Sequence, residues 1–345
     1  MDESGTLSTA VVGAGILGSR HARVFYEHAV TKLVAVVDVN LGLAEQVAAK
    51  YGARAYDSID RMLATEKPDI VSVATPDFAH TPAVLASIRS GCDVLVEKPL
   101  TTEVEEAEAI VGEAQRKGRT VMVNYSQRFV PEFTWIKNTV CSGAIGTPVL
   151  VQSEKFDTLY VPTEMIGWAG KTSPFFFMNA HDLDLVSWYL ESIPVEVYAQ
   201  TVSGVLTARG VDTVDGVQAV LRFESGASAA FHSSWIHPST YPVIAGGSLE
   251  IIGTDGFIRY SMAERRACLY TSSSAQEISF TGVHTADERR GRVTGAFVES
   301  VDHFISCILS GDEPLTSARR TLHVTKAQCA VVESAKRNQI VRIID

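Results

Sequence analysis

The run Thr9-Ala10-Val11-Val12-Gly13-Ala14-Gly15-Ile16-Leu17-Gly18 constrains this chain more than any other stretch. Small and β-branched residues precede three glycines spaced G-x-G-x-x-G, the pattern of a buried strand that feeds a tight turn and opens a helix. Gly13 permits the turn, Gly15 admits a pyrophosphate to the backbone, and Gly18 lets the helix pack close to the strand. The N–H groups at the helix start, those of Ile16 and Leu17 among them, face the phosphates, and the helix dipole favours their charge.

A second apolar run, Leu33-Val34-Ala35-Val36-Val37, ends in Asp38, twenty residues after Gly18. A dinucleotide fold needs a carboxylate there to accept both hydroxyls of the adenosine ribose. The same charge repels a 2′-phosphate, and no Arg or Lys just after Asp38 offsets it. The pattern therefore predicts NAD in preference to NADP.

The 345 residues suit two domains with a large core. Lys plus Arg number 30 against 40 Asp plus Glu, a net charge of −10, which argues against a nucleic-acid footprint. Cys92, Cys141, Cys268, Cys307 and Cys329 are far apart, with neither a CxxC pair nor metal-ligand spacing, so reduced thiols and no metal are expected. The start of the chain lacks the features of a signal peptide, and no run of apolar residues is long enough to span a membrane. The expected location is the cytoplasm.

Strand and helix patterns alternate through the first third. Asn40 is placed to cap a helix, strands are expected at 70–73, 94–96 and 120–123, and helices at 82–90 and 103–117. This predicts an α/β chain whose domain 1–123 is a Rossmann, doubly wound parallel sheet. Residues 124–345 read as an α+β domain with a large, mainly antiparallel open sheet. Hairpins turn at Glu224-Ser225-Gly226 and Gly253-Thr254-Asp255-Gly256. Helices are expected at 181–190, 295–309 and 317–337, and a mobile loop at 282–293. An open sheet with an apolar face predicts self-association to a dimer or tetramer.

In an open α/β sheet ligands sit at the carboxyl ends of strands. Ala74-Thr75-Pro76 and Glu97-Lys98-Pro99 follow the fourth and fifth strands, so both tripeptides face the cofactor crevice, and His80 begins the next helix. A lysine between a buried strand and a proline reads as functional. Together with the glycine turn, Asp38 and His181-Asp182-Leu183-Asp184, in that order, these residues resemble the Gfo/Idh/MocA oxidoreductase family over nearly the whole chain.

The resemblance implies roles by position. Lys98 lies near the nicotinamide and the reacting hydroxyl, and the Lys98–Pro99 peptide is cis. Thr75, Pro76 and His80 border the cofactor, Glu97 approaches the nicotinamide ribose, and His181 exchanges the proton. An imidazole titrating near ~6.5 suits that exchange at neutral pH, and an ammonium polarises an oxygen gaining negative charge. Asp184, one turn after His181, either orients the imidazole or, the preferred reading, pairs within the core. The implied activity is hydride transfer between NAD and a secondary alcohol or ketone of a sugar, sugar derivative or cyclitol. The alternatives are a non-enzymatic NAD-binding regulator and a dihydrodiol or imine dehydrogenase.

One position departs from the family pattern. Phe177 stands four residues before His181, where many relatives carry an aspartate preceded by a glycine pair, and the glycines are missing. Asn179 is a candidate substrate hydrogen-bond partner, although an amide is no base. The three phenylalanines 175–177 read as core in preference to a substrate platform. Lys155 and the loop bearing Tyr160, Trp168 and Lys171 read equally as contacts to a small polyhydroxylated substrate, with Trp168 stacking on a sugar ring, or as ordinary packing residues.

Overall fold

The structure, a computed structural model, describes residues 5–281, 286–289 and 291–343. Six strands pair in parallel, and the central ones, which read as continuous apolar runs, are buried on both faces while the edge strand Arg54–Tyr56 is not. They are β1 (Leu7–Val12), β2 (Thr31–Val37), β3 (Arg54–Tyr56), β4 (Ile70–Val73), β5 (Asp93–Val96) and β6 (Val121–Val123), in the order β3-β2-β1-β4-β5-β6. The strand order reverses between β1 and β4, where a doubly wound sheet opens its ligand crevice. Helices α1 (Ile16–Glu27), α2 (Leu41–Tyr51), α3 (Ile59–Glu66), α4 (His80–Arg89) and α5 (Val104–Lys117) connect the strands. Their ends follow local chemistry. The Asn40 side chain accepts the Gly42 N–H to cap α2, and Gly118, at φ +61°, closes α5 after Arg116 and Lys117.

Beyond α6 (Pro131–Cys141) the pattern turns antiparallel. The strands are β7 (Pro148–Thr158) and, after the helices α7 (Pro174–Phe177) and α8 (Asn179–Leu190), β8 (Pro194–Val202), β9 (Gly216–Phe223), β10 (Ser228–His237), β11 (Ala245–Gly253), β12 (Gly256–Ser261), β13 (Arg266–Thr271) and β14 (Ala275–Ser279). With β17 (Val341–Arg342) they form a nine-stranded sheet in which only β7 and β10 run parallel. Burial alternates along β9 and β10: one face carries Val217, Ala219 and Phe231 into the core, and the other leaves Leu150, Tyr198, Val220 and Ile252 exposed.

The chain then returns through the hairpin β15 (Asp287–Arg289) and β16 (Arg292–Thr294), α9 (Ala296–Ser310) and α10 (Leu322–Arg337). Two compact units result, Met1–Ser126 with Thr285–Leu322 and Gln127–His284 with His323–Asp345. The return segment joins the first sheet by backbone hydrogen bonds, Val123 N–H to Thr316 O at 2.9 Å and Ala318 N–H to Val121 O at 2.8 Å. That pairing corrects the expected helix 317–337, which begins only at Leu322 because residues 316–318 lie alongside β6. The expected loop 282–293 lies in part (282–285 and 290) outside the described residues. Its remainder is the β15–β16 hairpin, which Arg23 of α1 holds through Glu288 at 2.9 Å and Gly291 O at 2.9 Å.

The glycine turn yields a paired test. A Cβ at Gly18 would run into the Gly13 carbonyl oxygen, whereas one at Gly15 meets open space at φ −70°. Gly18→Ala is expected to cost more than about 2 kcal/mol and Gly15→Ala less than about 1 kcal/mol, compared by urea unfolding. Equal losses would contradict the packing described.

Candidate functional site

At the end of β1 the Gly13 N–H donates to Val37 O at 2.7 Å and the chain turns with Gly13 at φ +96°. A Cβ there would lie 2.6 Å from Ala74 O, so the turn after β1 touches the loop after β4. Helix α1 starts at Ile16 with Gly15 as its N-cap and no side chain capping it, leaving the first N–H groups to a ligand. Asp38 closes the other side. Its Oδ2 accepts the Ala14 N–H at 2.7 Å and its Oδ1 the Asn40 N–H at 2.8 Å. An ionised carboxylate has about four acceptor positions, so two remain for ribose hydroxyls. The turn, the uncapped helix start and this carboxylate fit a dinucleotide.

His80 ties together the loops after β4 and β5. Its ring is buried, with Nε2 2.9 Å from Thr75 O and Nδ1 2.9 Å from Pro99 O. Its polar atoms thus engage the backbone, holding Ala74-Thr75-Pro76 against the cis Lys98–Pro99 segment. Thr75 Oγ1 is buried without a hydrogen-bond partner among the described residues. Lys98 is half-buried, and its N–H donates to Glu97 Oε2 at 3.3 Å. Glu97 points into the core, where its Oε1 lies 2.8 Å from both His21 Nε2 and Asn124 Nδ2. Burial pushes the Glu97 carboxyl up, but His21, Asn124 and Lys98 outweigh it and bring the group below its ordinary value.

In the second unit Ser173 caps α7 by accepting the Phe176 N–H, and α8 begins two residues after α7 ends. His181 sits half-buried in the first turn of α8. Neighbouring charges are paired. The Asp182 Oδ1 receives the Lys155 ammonium at 3.2 Å, and Oδ2 accepts Asn179 Nδ2–H at 3.3 Å. Lys155 and Asn179 are both buried, so these two candidate substrate contacts form one cluster through an acid that sequence reasoning assigned no role. Asn179 Oδ1 has no partner among the described residues. Asp184 binds Arg128 in a two-pronged pair, with both N···O distances 2.7 Å, and the guanidinium stacks on Trp188 at 5.2 Å.

Phe175 and Phe176 are buried. Phe177 is half-buried between Trp168, edge-on at 5.8 Å, and Trp235 at 6.1 Å, against a core of Val161, Ile166, Ala169, Met178 and Leu206. Packing thus accounts for the aromatic residue at the position where the resemblance implies a carboxylate. Among the described residues no cluster of His, Cys, Asp and Glu is suited to a metal, and no helix is long and apolar enough to cross a membrane. Two residues that the sequence reading passed over are His21 and Asn124. His21 had one signal, its position three residues after Gly18 on the buried face of α1.

Comparison with known proteins places this geometry. Residues 7–125 match the model of an oxidoreductase family with an NAD-binding Rossmann fold, and residues 133–259 match the GFO/IDH/MocA C-terminal domain. The chain is 28% identical over 313 residues to the scyllo-inositol 2-dehydrogenase (NAD(+)) of Bacillus subtilis, covering 89% of this chain and 88% of that protein. It is 27% identical over 337 residues to an inositol 2-dehydrogenase of Rhizobium meliloti, covering 97% and 99%. In fold it matches the scyllo-inositol dehydrogenase of Lactobacillus casei, solved with bound NAD(H) and scyllo-inositol. The TM-score is 0.80 at 21% identity, over 98% of this chain and 99% of that one.

The Arg128–Asp184 pair can be tested alone. Asp184→Ala strands a buried guanidinium and is expected to cost about 3–5 kcal/mol, read from urea unfolding, while Arg128→Met with Asp184→Leu recovers most of the loss. A double variant as unstable as the single one would contradict this role.

Proposed function

The chain belongs to the Gfo/Idh/MocA family of oxidoreductases, and from that premise we propose that it oxidises a secondary alcohol of a cyclitol, sugar or sugar derivative. NAD, when bound, supplies the hydride acceptor. The N–H groups of Ile16 and Leu17 receive the pyrophosphate, and Asp38 receives the adenosine ribose hydroxyls. Ala74, Thr75 and Pro76 border the cofactor, held in place by His80. The Lys98 ammonium donates to the substrate oxygen and stabilises negative charge that grows on it. His181 accepts the hydroxyl proton, a task suited to an imidazole at neutral pH.

The observation that carries this reading is the half-buried Lys98 at the carboxyl end of β5, in the same parallel sheet as the glycine turn and Asp38. A fold that only senses a dinucleotide has no use for an ammonium there. Relatives named inositol dehydrogenases point to a ring of secondary alcohols as the substrate class. Within the second unit, the Lys155–Asp182–Asn179 cluster and the Trp168–Phe177 pair are the candidate substrate contacts.

The proposal extends to assembly and location. The exposed residues Leu150, Tyr198, Val220 and Ile252 on the uncovered face of the nine-stranded sheet support self-association to a dimer or tetramer. Five free cysteines support a reducing, cytoplasmic setting.

The test is NADH formation with a panel of cyclitols and sugars. Lys98→Met is expected to lower kcat by about 10²–10⁴-fold with little change in NAD affinity. Unimpaired turnover would remove Lys98 from the mechanism. A folded wild-type protein that binds NAD and turns over no polyol would favour the regulator.

A further inference from the structure

The carboxylate beside Lys98 is held from behind by a residue that no cofactor contact requires. His21 is fully buried on α1, the helix that the glycine turn opens, and its ring packs on Phe297 at 4.7 Å between centroids. Its Nε2 lies 2.8 Å from Glu97 Oε1, while its Nδ1 has no hydrogen-bond partner among the described residues. An ionised carboxylate accepts only, so Nε2 carries the proton of this contact.

Asn124 gives the same oxygen a second donor at 2.8 Å, and its own carbonyl is fixed by the Ser300 hydroxyl of α9 at 2.7 Å. Glu97 Oε2 in turn accepts the Lys98 backbone N–H. One buried acid is thus gripped by residues from α1, from the end of β6 and, through Asn124, from α9. A buried carboxylate with fewer donors would take up a proton and lose its charge.

We propose that His21 is a positioning residue, whose Nε2–H keeps Glu97 a buried anion and thereby fixes the backbone and offsets the charge of Lys98. The role rests on the reading of Lys98 above. The glycine turn and the catalytic loop are then coupled through one hydrogen bond across the sheet, from the pyrophosphate-binding helix to the residue preceding the ammonium. The titratable or charged groups acting on Glu97 are His21 and Lys98, with Asn124 as a neutral donor.

Two variants separate the hydrogen bond from the space the ring fills. His21→Phe keeps a ring against Phe297 and removes the donor; His21→Gln restores an N–H. Neither carries a titrating group, so their difference reports on Glu97. A carboxyl whose folded value is depressed stabilises the fold above its unfolded value, and that stabilisation disappears as pH falls through the folded value.

In the cofactor-free protein His21→Gln is therefore expected to melt above His21→Phe at pH 7, with the gap closing toward pH 4. With NAD, His21→Phe is expected to lose about 10–100-fold in kcat with little change in KM for NAD, and His21→Gln to recover most of it. A melting gap that does not change with pH, or a His21→Phe enzyme with wild-type kcat, would overturn the role of His21. A wild-type protein that binds NAD without any turnover would instead overturn the reading of Lys98, and this role would fall with it.

Discussion

Helix α1 approaches the end of β1 so closely that Gly18 has no room for a single carbon more, and the turn at Gly13 lies as tightly against the backbone of Ala74. Much of the first unit follows from that approach. It brings the uncapped start of α1 to the crevice edge of the sheet and sets Ala14 where its N–H reaches Asp38. It also drives the next turn of the same helix inward, so that His21 lies under the sheet and meets Glu97. A backbone contact without side chains thereby orders a dinucleotide cradle on one side and a buried acid on the other.

Charges inside this protein come with partners. Glu97 has three donors from outside its own residue, Asp182 has an ammonium and an amide, and Asp184 has a two-pronged guanidinium. Desolvating an unpaired carboxylate would cost more than these folds can spare, whereas a paired one is tolerated and fixes geometry. Two of these acids adjoin the residues proposed for chemistry: Glu97 precedes Lys98, and Asp182 follows His181. Rigid neighbours keep a reacting ammonium or imidazole in its productive position.

The features legible in the sequence are those whose causes are local. The glycine turn, Asp38 after a buried strand, the Asn40 cap and the alternation of strands with helices each depend on residues within a few positions of one another. Long-range pairings left little trace. Nothing near Thr316 announces that it will bond Val123, so the start of α10 was misplaced. His80 reads as a cofactor neighbour from its position, yet its ring is held by carbonyls from two loops. His21 and Glu97 are 76 residues apart and meet only once β1 and β5 share a sheet. Phe177 reads as core from its run of phenylalanines, but its partners Trp168 and Trp235 come from separate segments and leave no local signal.

The central claim is that the first unit reads the adenosine ribose of NAD through Asp38. Calorimetric titration of the wild-type protein with NAD and, separately, with NADP tests it without any assumption about substrate. The account predicts saturable binding of NAD and binding of NADP weaker by about tenfold or more, because a phosphate brought against a carboxylate costs over about 1.4 kcal/mol. Equal or tighter binding of NADP, or no binding of either, would contradict it.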